Sequence, residues 1–334
     1  MAEAEASIAP YTGQPNGFPT EDPLVKRPSA SEVIAYLECS TPVCAQLRPM
    51  FEDASKALGV QFQSVKAGAS AQELQQAMDS IIAMKPSAVL VAGVDPAQFK
   101  SQMDELAAMN IPVVGGSGAS RFPAIRGVVN GDASSTRIGA LLADWAVATN
   151  GGAPSVVYTI PELSFTSLMT DGYLTRMKEL CPACEVRQQN IPVASIGNAA
   201  PQQVVNDLRS HPETETAIFT SLESATGLPA AMKVANLEVD INGFGSDAGT
   251  LNSLRKEDFA GAVAFDFPVT GWQFVDMAAR LGTGQELTGM ERNDEMTMQI
   301  LSPSDMQSGS TDNWSAYPDY QQRFTALWSA GNAS

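Results

Sequence analysis

The chain has 334 residues, 44% hydrophobic, 17% charged and 7% aromatic, with a mean hydropathy of -0.06. That mixture suits one large domain or two lobes and excludes a disordered, collagen-like or disulfide-dense miniprotein chain. Twenty basic against 37 acidic residues leave a net charge of -17, which repels nucleic-acid phosphates and anionic lipid. No apolar run reaches the ~18 residues of a membrane span. With His211 the only histidine, histidine-based catalysis and metal binding are disfavoured, and neither a metal nor a cofactor is expected.

Residues 1–31 carry Pro10, Gly13, Pro15, Gly17, Pro19, Pro23 and Pro28 among Glu and Ser, and read as a flexible leader. From Glu32 the pattern alternates. Val33 to Leu37 reads as a buried strand, followed by a helical pattern through Leu47, Met50, Phe51 and Leu58. Val60 to Val65 follows, then Ser70-Ala71-Gln72-Glu73, a capping box opening a helix to Met84. Ala88 to Val91 is a strand, Phe99 to Met109 a helix and Ile111 to Val114 a strand. The alternation then repeats: helix Ser134 to Thr149, strand Ser155 to Thr159, helix Ser167 to Leu180, strand Val186 to Ile191, helix Ala200 to Ser210. Strands at Ala217 to Thr220, Val239 to Phe244 and Ala260 to Ala264 enclose a helix at Ala225 to Val234, and Gly271 to Leu281 is helical. A late strand near Met298 precedes a loop from Ser302 to Ala316, and Tyr317, Tyr320, Phe324, Leu327 and Trp328 fall on one helical face. Such regular alternation predicts parallel sheets covered on both faces, with any ligand along the strand C-termini.

The four cysteines form two close pairs, Cys39 with Cys44 and Cys181 with Cys184. Local disulfides are the economical pairing; free thiols, or a redox or metal role for Cys181-Pro182-Ala183-Cys184, stay open. Disulfides would place the chain in an oxidising compartment. Catalytic signatures are scarce: there is no Gly-x-Ser-x-Gly, no P-loop Gly-Lys-Ser/Thr and no His-Glu-x-x-His. Gly115-Gly116-Ser117-Gly118 follows a strand but leads into Arg121-Phe122-Pro123, better suited to a turn beside a cleft than to a phosphate cradle. The chain is expected not to be an enzyme.

Val33 to Leu47, Ala88 to Asp95, Ile111 to Gly118, Ala217 to Ala231 and Asn242 to Asp247 resemble the ribose-binding-protein branch of the periplasmic solute-binding proteins, whose core the lactose-repressor class shares. The resemblance spans roughly residues 32–300. It implies an α/β fold of two doubly wound, Rossmann-like parallel-sheet lobes joined by a three-segment hinge. The lobes would be 32–131 with 268–297, and 132–267 with 298–334, the second carrying the C-terminal helix. It further implies an extracytoplasmic monomer that closes over a small molecule and delivers it to the membrane permease of an ABC importer. A sensor domain signalling to a partner protein is the rival reading. The leader would then link the lobes to a lipid anchor absent from this chain, with a root-mean-square reach of ~30 Å.

Carried over residue by residue, the family's ligand positions fall on Ser40, Thr41, Val43 and Cys44 after the first strand, where Pro42 stands in place and the stacking aromatics do not. Asp95 follows the third strand. The sugar-gripping Asp-Arg after the fourth corresponds to Ser117 and Gly118. In the second lobe the positions are Phe165 and Met169 without the clamping Arg, Leu222 and Glu223 for Asn-Asp, Gly245 and Ser246 after Phe244, and Phe265, Asp266 and Phe267 before Pro268. Hinge positions are Asn130, Asp132, Pro268 and Met298. A monosaccharide is held by charged forks on vicinal hydroxyls and by rings on its faces. Most of those forks are missing, so the expected ligand is a partly apolar, neutral or cationic small molecule and not a simple aldose, carboxylate or phosphate. Arg121 is the nearest cation to that cleft.

Overall fold

The buried Val/Ile/Leu/Ala runs become strands because both faces are covered, while the capped amphipathic stretches become the covering helices. In a computed structural model, residues 1–40, 42–68, 70–116, 122–306 and 314–330 are described. Helix α1 (Ala2–Ile8) comes first, then β1 (Val33–Glu38), α2 (Pro42–Leu58), β2 (Gln61–Lys66), α3 (Ala71–Ala83) and β3 (Ala88–Val91). Next are α4 (Lys100–Ala108), β4 (Val113–Gly115), β5 (Ile125–Val128), α5 (Asp132–Asn150), β6 (Ser155–Thr159) and α6 (Ser164–Leu180). They are followed by β7 (Val186–Asn190), α7 (Ala200–Ser210), β8 (Thr216–Phe219), α8 (Leu228–Ala235) and β9 (Asp240–Phe244). The chain ends through α9 (Ala248–Arg255), β10 (Gly261–Phe265), α10 (Phe267–Gly282), α11 (Gly289–Arg292), β11 (Met298–Leu301) and α12 (Tyr320–Ala330).

Two compact units result. The N-unit comprises Phe18–Asp132, Pro268–Met296 and Tyr317–Ser334; the C-unit comprises Met1–Gly17, Ala133–Phe267 and Thr297–Ala316. In the N-unit the described strands run β2-β1-β3-β4-β5, all parallel, with Ile34 opposite Ala88 and Leu37 opposite Val91. Leu37, Val91, Val113, Ile81, Phe99 and Met103 close the core on one face of this sheet. Helix α3 opens with the expected capping box, in which Ser70 accepts the Glu73 N–H and the Glu73 carboxylate accepts the Ser70 N–H.

In the C-unit the described strands run β11-β10-β9-β8-β6-β7, parallel except for β11, which is antiparallel to β10. Tyr158 stacks on Phe219 at 4.8 Å between centroids, within a core that includes Val204, Leu208, Ile241 and Leu254. Helices α5 and α6 cross almost backbone to backbone. A Cβ on Gly139 would stand 1.9 Å from the Met169 carbonyl oxygen, and one on Gly172 would stand 2.1 Å from that of Thr136.

Two expectations are corrected. Residues 1–31 are not a loose leader but a strap fastened along its length. Glu3 pairs with Arg176 at 2.9 Å, Ser7 donates to Asp144 at 2.6 Å, and Thr12 bridges Ile300 of β11. Further on, Phe18 and Leu24 are buried, and Arg27 donates to the Leu58 carbonyl. Composition concealed this because a few anchors suffice when an edge strand such as β11 offers unpaired backbone groups. The C-terminal helix belongs to the N-unit rather than the second lobe. Trp328 stacks on Trp272 of α10 at 5.3 Å with 3° between planes, and Phe324 packs on Phe18. The helical spacing identified the buried face of α12 but carried no information on which unit would receive it.

Candidate functional site

Crossovers in doubly wound sheets leave the C-terminal strand ends as the open edge at which ligands bind. In the C-unit that edge gathers the loops after β6, β8, β9 and β10. The β6–α6 turn is set by buried threonines. Thr159 and Thr170 share a 2.5 Å hydroxyl contact, and Thr166 donates to the Ile160 carbonyl at 2.6 Å. This fixes half-buried Phe165 in the first turn of α6. Met169, expected to face ligand, is instead wholly buried behind Gly139, because the helix crossing claims that face.

After β8, Leu222 is buried in the core and packs over Gly243 and Gly245, whereas Glu223 is exposed. Its carboxyl is held above the usual range, first by partial desolvation and then by the negative charge of Asp247. Asp247 caps α9, accepting from the N–H groups of Gly249 and Thr250 and from the Thr250 hydroxyl at 2.6 Å. Gly245, with φ +153°, makes the turn before it. Ser246 is buried and donates to the Phe265 carbonyl at 2.6 Å, so its hydroxyl is spent locally.

Three rings form a ladder at the end of β10. Phe244 stacks on Phe265 at 5.3 Å and Phe265 meets Phe267 at 5.1 Å. Phe244 and Phe267 are buried while Phe265 is half-buried, so two buried rings hold a third that stays partly exposed. Phe244 was not singled out by sequence reasoning; its place at a strand end, directly before the predicted site residues Gly245 and Ser246, was the available signal. Asp266, expected to touch ligand, is wholly buried, and its Oδ2 accepts from the Ser315 hydroxyl and the Ala316 N–H, both at 2.7 Å. It is a positioning group.

In the N-unit the described part of this edge includes the loops after β1 and β3. Cys39 and Cys44 form a disulfide with an S–S distance of 2.03 Å. This bridge lies over Gly93 in the loop after β3, where a Cβ would meet Cys44 Sγ at 3.1 Å and Cys39 Sγ at 3.3 Å. The sulfurs are buried, which takes Cys44 out of reach of a ligand, while Ser40 is exposed and Val43 half-buried. Asp95 is exposed and accepts the Ala97 N–H at 3.0 Å, capping a short turn. Thr41, Ser117, Gly118 and Arg121 lie outside the described residues. Of the hinge positions, Asn130 is buried with φ +60°, a conformation Asn tolerates. Asp132 and Pro268 flank passages from one unit to the other, and Met298 opens β11. The second bridge, Cys181–Cys184, forms at the far end of α6.

The family model of the periplasmic binding protein domain matches residues 34–286. The chain belongs to this family. Among curated proteins none matches it. Solved structures share the fold at low identity. One is a solute-binding protein from Burkholderia graminis in complex with D-arabinose, with TM-score 0.71, 16% identity, and coverage of 85% of this chain and 99% of that one. A periplasmic solute-binding protein from Actinobacillus succinogenes with bound D-allose gives TM-score 0.70 and 16% identity over 83% of this chain and 99% of that one. AraP, an arabinose-binding protein from Geobacillus stearothermophilus, gives TM-score 0.66 and 16% identity over 84% and 98%. The two-unit α/β fold of mostly parallel sheets is that of the type I periplasmic binding proteins.

Proposed function

We propose that the chain captures a small solute between its two units by hinge closure, outside the cytoplasm, and hands it unaltered to the permease of an ABC importer. What carries this reading is the family match over residues 34–286. The solute is a neutral or cationic molecule with one apolar face. Phe265, backed by two rings, and Phe165 offer apolar surface, while Glu223 beside Asp247 is an acceptor that favours a hydroxyl or ammonium donor and repels anions.

A sugar is the second reading, favoured by relatives solved with D-arabinose and D-allose. A ring and a carboxylate serve a sugar's C–H face and hydroxyls equally well. The paired charged forks are what is lacking at buried Leu222 and half-buried Gly245.

Titration calorimetry against amines, polyols, nucleosides, monosaccharides, carboxylates and phosphates tests the class. Glu223→Gln is expected to weaken binding roughly ten- to hundredfold, the worth of a hydrogen bond to a charged group. Wild-type affinity should also fall as pH drops through the raised range of the Glu223 carboxyl, because protonation removes the acceptor's charge. Unchanged affinity in Glu223→Gln, or tightest binding by a carboxylate, overturns the assignment.

A further inference from the structure

The chain passes between its units after Gly17, Asp132, Phe267, Met296 and Ala316. Three of these passages, after Gly17, Met296 and Ala316, lie outside the matched domain at 34–286, and the first and last of them are made by the strap and by the segment leading into α12. Four of the five are tied to one another inside the C-unit. The Asp266 carboxylate takes the Ser315 hydroxyl and the Ala316 N–H at 2.7 Å, and the Asp266 N–H donates to the Thr297 carbonyl at 2.8 Å. The Thr297 hydroxyl donates to the Gly17 carbonyl at 2.8 Å. Beside it, Asn16 and Met298 exchange two bonds, Met298 N–H to Asn16 Oδ1 at 2.8 Å and Asn16 N–H to the Met298 carbonyl at 3.0 Å.

The first N-unit residues past the two outer passages also meet. The rings of Phe18 and Tyr317 pack edge to face at 5.2 Å, and the Arg323 guanidinium lies over both, 4.8 Å from Tyr317 and 5.5 Å from Phe18. Separate tethers would let two bodies twist and slide as well as bend. Passages tied side by side by a desolvated carboxylate, the strongest class of hydrogen-bond acceptor, bend as one.

We propose that the strap and the segment before α12 are working parts of the hinge, knotted through Asp266 and Thr297 into one bundle that confines relative movement of the units to a single narrow range. Asp266 acts here through the passages and not on the solute.

Spin labels at Val234→Cys in the C-unit, where the native side chain is 86% exposed, and at Met84→Cys in the N-unit, 41% exposed, read the movement by pulsed electron resonance without any solute added. Asp266→Ala, Thr297→Val and Phe18→Ala are each expected to widen the distance distribution by roughly twofold, while circular dichroism stays that of a folded chain. Thr297→Val removes one tie and keeps the side chain's shape, so it carries the test if Asp266→Ala or Phe18→Ala unfolds. Folded variants that keep the parent's narrow distribution would overturn the proposal, and would leave the solute-binding reading standing.

Discussion

Gly139→Ala and Gly172→Ala are each expected to destabilise the C-unit by about 3 kcal/mol or more, read as a fall of roughly 10 °C in melting temperature. Ordinary overpacking is relieved by side chains that swing aside. Here the added methyl would stand 1.9 Å from the Met169 carbonyl oxygen, or 2.1 Å from that of Thr136. Backbone cannot rotate away, so α5 and α6 must separate along the crossing. Separation would uncover Met169 and Tyr173, which are fully buried, and would strain the Tyr173 hydroxyl contact with Ser155 at 3.0 Å. The two substitutions act on one crossing, so the double variant should lose much less than the sum, because the first already parts the helices. Strict additivity, or a loss under 1 kcal/mol in either single variant, would show that the helices do not approach as described.

Arg280→Met is expected to cost about 3–5 kcal/mol, the usual penalty for leaving buried charge without its partner. Arg280 is 2% exposed and lies 2.5 Å from Asp276 and 3.6 Å from Glu291, both wholly buried, and it also donates to the Asp22 carbonyl of the strap. Trp328 of α12 donates to the other oxygen of Asp276 at 2.5 Å. One guanidinium therefore faces two carboxyls, and among the described residues neither oxygen of Glu291 has a hydrogen-bond partner.

Burial first, and then the charge of Asp276, push the Glu291 carboxyl well above its ordinary range, with Arg280 opposing. Protonated, Glu291 can donate to Asp276 and leave a neutral pair plus one ion pair. The folded chain thus holds this proton more tightly than the unfolded chain does. Its contribution is present below the ordinary glutamate range and is lost as pH rises from there through the raised value. Glu291→Gln supplies the same donor at every pH. It should flatten that part of the melting-temperature profile and match or exceed the parent near neutrality. A profile with the same slope in Glu291→Gln would place the titration elsewhere.

Much of this fold was legible in the residues because its period is strong. Val33 to Leu37 and Ala88 to Val91 are apolar throughout, and Ser155 to Thr159 is apolar at its centre, as suits strands buried on two faces. Strand β5 was missed because Ile125–Val128 is four residues long and carries Arg126 and Gly127. Helix α9 escaped because it is only eight residues long and its start is declared only by the Asp247 cap. The strap was misread because low hydrophobicity marks disorder only in a segment with nothing to dock on; Phe18 and Leu24 are enough once α12 provides the surface.

At the site, position along the chain located the right loops but not the direction of each side chain. Glu223 and Phe265 come to the edge, whereas Met169, Leu222 and Asp266 turn inward. Those inward turns depend on partners distant in sequence, Gly139, Gly243 and Ser315, that no local pattern announces.

Reversible capture of an unmodified solute is tested most directly by native mass spectrometry of the chain titrated with the solute panel, followed by release and reweighing of whatever was bound. One solute per chain, neutral or cationic, recovered at its starting mass and stabilising the fold by about 2.7 kcal/mol at a hundredfold excess over Kd, is the predicted result. A solute returned with altered mass, or complexes formed only with carboxylates and phosphates, would contradict it.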